Sequence, residues 1–145
     1  MGDAATMAAH LDALRDRSLI ADCGDFFEGT GYYVMGGGQA EVAMLTGLYD
    51  IVAPGNHGYC HHVQDPGLRS ITVCANLTDR TGAPVFTPSR TFEISGSNVA
   101  VTAIMGAEAF ASIPPAQRAD HRVSDPAAAL RAWYGEYRSL ADSWA

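Results

Sequence analysis

At 145 residues the chain has room for one domain with a real core and too little for two ordinary ones. Its composition, 48% hydrophobic and 17% charged, is that of a soluble globular protein, and no stretch approaches the roughly 20 apolar residues that span a bilayer, which argues against membrane insertion. The net charge of −7 argues against a nucleic-acid polymer, which is held by clustered Lys and Arg, and leaves a metal cation or a small substrate as the expected partner.

Residues 1–7 lack the basic start and apolar core of a secretion signal, so a cytoplasmic location is the default expectation. Cys23, Cys60 and Cys74 are odd in number and have no CxxC spacing, which fits reduced thiols better than a disulfide framework. From 3 to 17 the apolar residues Met7, Leu11 and Leu14 recur at helical spacing, which predicts an amphipathic helix capped by Asp3. Ser18-Leu19-Ile20-Ala21-Asp22 is a compact apolar run, hence a strand, and it ends in the polar loop Cys23-Gly24-Asp25. In an open α/β sheet the carboxyl ends of strands are where sites are built.

Gly36-Gly37-Gly38 then leads into a helix from Gln39 to Leu48, whose buried face is drawn from Val42, Leu45 and their neighbours Ala43 and Met44. A second strand, Tyr49-Asp50-Ile51-Val52-Ala53, runs into Pro54-Gly55-Asn56-His57-Gly58, so polar side chains again sit just past a strand end and the two loops can face one crevice. After a less regular stretch, Ile71-Thr72-Val73-Cys74-Ala75 reads as a third core strand. Thr91-Phe92-Glu93-Ile94 and residues 98–105 form a hairpin joined through Ser95-Gly96-Ser97. The last element is a helix with Asp125 as cap and Pro126 at its first position, continued by Leu130, Trp133, Tyr134, Tyr137 and Leu140 at spacings of three and four. No internal repeat, low-complexity tract or linker interrupts the sequence.

The run Leu19-Ile20-Ala21-Asp22-Cys23-Gly24-Asp25-Phe26-Phe27-Glu28-Gly29, followed by Tyr49-Asp50-Ile51-Val52-Ala53-Pro54-Gly55-Asn56-His57, resembles the second and third motifs of the calcineurin-like metallophosphoesterases. Val73-Cys74-Ala75-Asn76-Leu77, Thr81-Gly82-Ala83-Pro84-Val85-Phe86 and the hairpin running into Ala103-Ile104-Met105-Gly106 are similar, in the same order and at similar spacing, to the 5′-nucleotidase branch. The resemblance covers nearly the whole chain. It implies a partial metallophosphoesterase-like layered α/β sandwich, a mixed sheet with flanking helices, in which residues 1–145 form a single partial domain.

The resemblance also implies roles. Asp25 matches the carboxylate that bridges two divalent cations, Asn56 the amide-oxygen ligand of one of them, and His57 the histidine that stabilises the attacked phosphoryl group or assists the leaving oxygen. Manganese, zinc, cobalt, iron or magnesium ions held about 4 Å apart would generate a hydroxide and absorb the charge of in-line displacement on a small phosphorylated substrate such as a nucleotide.

Taken singly, the same residues have plainer uses. Asp25 suits a turn or a helix cap, and asparagine after glycine, as at Asn56, is a common turn residue. Asp22, at a strand end, reads as a structural hydrogen-bonding group. Cys60-His61-His62 has ligand chemistry, yet three consecutive side chains rarely point at one ion, so a solvated loop or a supporting role fits better, with a zinc site from His61 or His62 and Cys74 as the alternative. Gly36-Gly37-Gly38 lacks the following Lys-Ser or Lys-Thr of a phosphate loop and reads as a flexible lead into a helix. Trp133, Tyr134 and Tyr137 read as packing residues rather than a base-stacking platform, and His10 and His121 as surface or structural residues without evident partners.

The family pattern is not complete. No Asp-x-His strand precedes the first helix, and no histidine loops follow the last one to finish the metal shells. After Gly55-Asn56-His57 the pattern continues with Glu, an aromatic and Asp, whereas this chain has Gly58-Tyr59-Cys60, so Cys60 replaces the carboxylate expected to orient His57. The expectation is a metal-dependent phosphoester hydrolase by ancestry with an incomplete two-metal site, or else a non-catalytic binding or assembly module on the same scaffold. Unpaired sheet edges and uncovered apolar faces would then favour a homo-oligomer or a complementary chain.

Overall fold

Helices and very short strands alternate along residues 4–142, the part that the computed structural model describes; Asp3, the expected first cap, lies outside the described residues. In chain order the elements are α1 (Ala4–Leu14), β1 (Ala21–Asp22), α2 (Gly31–Gly36), α3 (Gln39–Leu48), β2 (Ile51–Val52), α4 (Tyr59–Gln64) and α5 (Pro66–Ile71). They continue with β3 (Leu77–Thr78), β4 (Ser89–Ile94), β5 (Ser97–Thr102), α6 (Ala107–Ser112), α7 (Pro115–Arg118), β6 (Arg122–Val123) and α8 (Pro126–Asp142). No helix among the described residues is long and apolar enough to cross a membrane.

The parallel pair β1–β2, in register Ala21↔Ile51 and Asp22↔Val52, is the platform for both strand-tip loops. Parallel bridges extend it from Val52 to Thr72 and from Val73 to Thr87. The third strand expected over 71–75 thus shrinks to two bridging residues, because Ile71 still belongs to α5 and Ala75 already turns. The stretch between His57 and Ile71, irregular by sequence, is helical. Asp65 accepts a hydrogen bond from Leu68 N–H (2.8 Å) and Pro66 opens α5, the same cap-and-proline start that Asp125 and Pro126 give α8.

Other elements keep their expected places with changed bounds: β1 covers only the end of the strand expected over 18–22 and β2 only the middle of that over 49–53, and β5 ends at Thr102 instead of 105. α3 occupies the expected span, with Val42 and Leu45 buried but Ala43 exposed, and the buried face also takes in Glu41. Gly36-Gly37-Gly38 is the junction of two helices: Gly37 ends α2 and Gly38 caps α3, both with left-handed backbone that a Cβ would strain. The hairpin β4–β5 turns at Ser95 and Gly96, both at positive φ, which carries the strand twist through a two-residue loop. The antiparallel pair β3–β6 had no legible signal, since each strand is two residues long.

Two apolar clusters hold these pieces together. Tyr59, Cys74, Leu77, Val85, Phe86, Met105, Phe110 and Ile113 form one, and Phe27, Val42, Leu45, Val52 and Leu68 form the other. His62 is the joint, buried with its ring edge-on to Phe27 in one cluster and to Phe86 in the other. Thr72 Oγ1 donates to Leu68 O (2.7 Å), so it accepts from His62 Nδ1–H (2.9 Å), and His62 Nε2 is buried without a hydrogen-bond partner among the described residues. Burial pushes the imidazole pKa down to about 4. Asn76, also buried, satisfies all its polar valences: Oδ1 accepts from Met105 N–H (2.8 Å) and Cys74 Sγ (3.3 Å), and Nδ2 donates to Met105 O (2.8 Å) and Ser124 O (3.0 Å).

Truncating that amide strands buried groups on segments far apart in sequence, and Asn76→Ala should cost roughly 2–4 kcal/mol in chemical denaturation at neutral pH. A loss within experimental error would show that these bonds do not tie the segments together. His62 sets an acid limit. Its pKa falls on folding, so its contribution is complete above the unfolded value near 6.5 and drains away as pH drops towards about 4, about 3 kcal/mol in all. Denaturation curves between pH 7.5 and 4 should show that slope, and His62→Gln should flatten it.

Candidate functional site

Strand-tip chemistry starts with the turn after β1. Asp22 Oδ1 accepts from Gly24 N–H (2.9 Å), the structural role expected of it; burial raises the Asp22 carboxyl pKa and that bond pulls the other way. Gly24, at φ 95°, lies so close to the loop after β2 that a Cβ there would sit 2.8 Å from Gly55 N. Gly55 in turn faces Asp25, and a Cβ on it would overlap both the Asp25 backbone nitrogen and its carboxylate. Only glycine at both positions permits this approach.

Across that contact Asp25, itself in left-handed backbone at φ 58°, accepts His57 N–H on Oδ1 (3.1 Å). Asn56, between Gly55 and His57, is half-buried, and its side chain makes no hydrogen bond among the described residues. Asp25 and His57 therefore meet where β1 and β2 end, and Asn56 precedes His57 in the same loop.

Glu28 is the residue that the sequence did not single out. Its Oε2 meets His57 Nδ1 at 2.8 Å and its Oε1 accepts Gly58 N–H at 3.1 Å. The hydrogen bond from the imidazole holds the Glu28 carboxyl below its ordinary pKa, and the same bond raises that of His57. Both side chains are well exposed, so the pair adds little to stability.

Behind the loops, Phe27 closes against Gly58, where any Cβ would run into its ring. His61 stacks on Phe27 (4.7 Å between centroids), and its Nε2 meets Tyr33 OH at 3.2 Å. The expected solvated loop Cys60-His61-His62 is instead part of α4, because Gly58 starts a helix there and turns His62 into the core. Cys60 makes no hydrogen bond among the described residues, so it does not stand in for the missing carboxylate at His57. His121, expected to lack a partner, hydrogen-bonds the buried Tyr59 hydroxyl through Nδ1 (2.8 Å). Trp133 and Tyr137 stack on each other at 5.7 Å, whereas Tyr134 is exposed.

A metal pair needs more donors than this. Asp25 and Asn56 offer a carboxylate and an amide, and one Asp25 oxygen already holds His57 N–H. Among the described residues no group of three or more His, Cys, Asp or Glu converges to hold an ion, which also applies to His61, His62 and Cys74. The residues present do not fit a self-contained metal centre.

No protein-family model and no curated protein matches the chain. Among solved structures it is similar to the sulfate thiohydrolase SoxB of Thermus thermophilus, solved in complex with glycerol, with a TM-score of 0.71 at 17% sequence identity over 94% of this chain and 26% of SoxB. The chain thus spans about a quarter of SoxB, and the likeness is one of fold: a mixed α/β arrangement of short strands with flanking helices.

The closeness of the loops is itself testable. Gly55→Ala forces Asp25 away and should destabilise the chain by about 2 kcal/mol, with faster hydrogen exchange at the His57 amide. Unchanged exchange would mean that the loops do not depend on this approach.

Proposed function

We propose that this chain carries one side of a 5′-nucleotidase-like, metal-dependent phosphoester hydrolase site, and that it does not turn over substrate alone. The observation behind this reading is the Asp25 to His57 contact, which joins two loops at the carboxyl ends of parallel strands. On this reading His57 offers its exposed imidazole to a small phosphomonoester of the nucleotide type, donating a hydrogen bond or a proton to a phosphoryl or leaving oxygen. Asp25 and Asn56 are donors to a divalent metal whose remaining ligands lie outside the described residues. Activation of a nucleophile is therefore the step for which the described residues supply too few metal donors.

A second reading, a non-catalytic binding or assembly module built on the same scaffold, draws on α2. Its Tyr32, Val34 and Met35 are 72%, 82% and 85% exposed, an apolar face that a homo-oligomer or a complementary chain could cover.

Purified chain mixed with manganese, zinc or cobalt should bind the metal weakly, lose that binding in Asp25→Ala and Asn56→Ala, and hydrolyse a chromogenic phosphomonoester no faster than the metal alone. Robust turnover abolished by His57→Ala would overturn the incompleteness. Absence of any site-dependent metal or phosphate binding, beside a defined oligomer insensitive to chelators, would favour the assembly module.

A further inference from the structure

We infer that Glu28 is the positioning residue of His57: reaching across from the β1 loop, its carboxylate fixes the orientation of the ring and holds the neutral imidazole as the Nδ1–H tautomer, with Nε2 bare. This rests on the reading above that His57 is the residue that meets the phosphoryl group. It assigns to Glu28 the orienting task that the resembling family gives to an aspartate three residues after the histidine, where this chain has Cys60.

Both Glu28 oxygens are committed, Oε1 to Gly58 N–H and Oε2 to His57 Nδ1, on two adjacent residues of the facing loop. Two donors fix the plane of the carboxylate, and so the direction from which it meets the ring. An ionised carboxylate only accepts, so the proton of this bond sits on Nδ1. Nε2 has no hydrogen-bond partner among the described residues, so its lone pair is free to accept. The opposite tautomer would put the hydrogen on Nε2 and remove its capacity to accept.

The backbone supports a role beyond stability. Glu28 holds φ 73°, in the left-handed region, which is unfavourable for a non-glycine residue. An exposed ion pair returns little. A residue kept in strain at a solvent-facing contact that stabilises little is better accounted for by the geometry it imposes on its neighbour. Cys60 competes for none of it.

Long-range proton–nitrogen correlation spectra of labelled chain, taken where the imidazole is neutral, read the tautomer of His57 directly. The unsubstituted chain should show Nδ1 protonated and Nε2 bare. Glu28→Ala should lose that pattern in favour of Nε2–H, and Glu28→Ala combined with Cys60→Asp should restore it. An Nε2–H majority in the unsubstituted chain, which needs no variant to fold, would overturn the assignment, as would an unchanged tautomer in folded Glu28→Ala. Added inorganic phosphate separates the two readings: a fixed Nδ1–H tautomer whose ring signals ignore phosphate upholds Glu28 as the positioning residue and removes His57 from the phosphoryl group.

Discussion

Everything at the candidate site depends on one close approach, the loop after β1 lying against the loop after β2 with no side chain between them. The strands beneath are two residues each, too short for sheet hydrogen bonds to set the loops by themselves. Gly24 and Gly55 remove the Cβ atoms that would separate the backbones, and the Asp25 carboxylate then reaches His57 N–H. Further layers build on that contact. Phe27 can close on Gly58 only because the loops already touch, His61 stacks on Phe27, and Tyr33 anchors α2 to His61. A disturbance at Gly55 would therefore reach α2 without touching it.

Stability and site geometry are drawn from different residues. Stability resides in the two apolar clusters and in the buried amide of Asn76, which binds segments dozens of positions apart. The loops contribute strain instead: Asp25 and Glu28 both sit at positive φ, and their acceptor bonds are partly open to water. His62 couples the two regimes, since it packs on Phe27 from the loop and on Phe86 from the larger cluster. Protonating it would loosen the core at the point where the core supports the site.

The sequence was most legible where a signal is local and long. α3, the hairpin turn at Ser95-Gly96 and the Asp125-Pro126 start of α8 each follow from periodicity or turn chemistry. α4 and α5 are six residues each, shorter than two helical turns, so no period could emerge, although Asp65-Pro66 repeats the start signal of α8. β3 and β6 pair two residues across a sequence gap of more than forty, a relation no local pattern encodes. At the site, the meeting of the loops that carry Asp25 and His57 could be anticipated because each follows a strand end. Glu28 could not, because its contact depends on two left-handed residues, itself and Gly29, that redirect the loop.

A shared fold with a quarter of SoxB at 17% identity fixes architecture and says little about chemistry, because one scaffold serves many reactions. The loops themselves carry the functional content, and they carry it unevenly. His57 has a carboxylate partner, both of whose oxygens are engaged, and an imidazole that is half exposed. Around Asp25 and Asn56 no group of three or more His, Cys, Asp or Glu converges among the described residues. The carboxylate that meets His57 comes from the facing loop, on a residue in left-handed backbone, while position 60 holds a cysteine that makes no hydrogen bond among the described residues. The geometry of the imidazole is therefore set by the approach of the two loops and not by the helix that follows it.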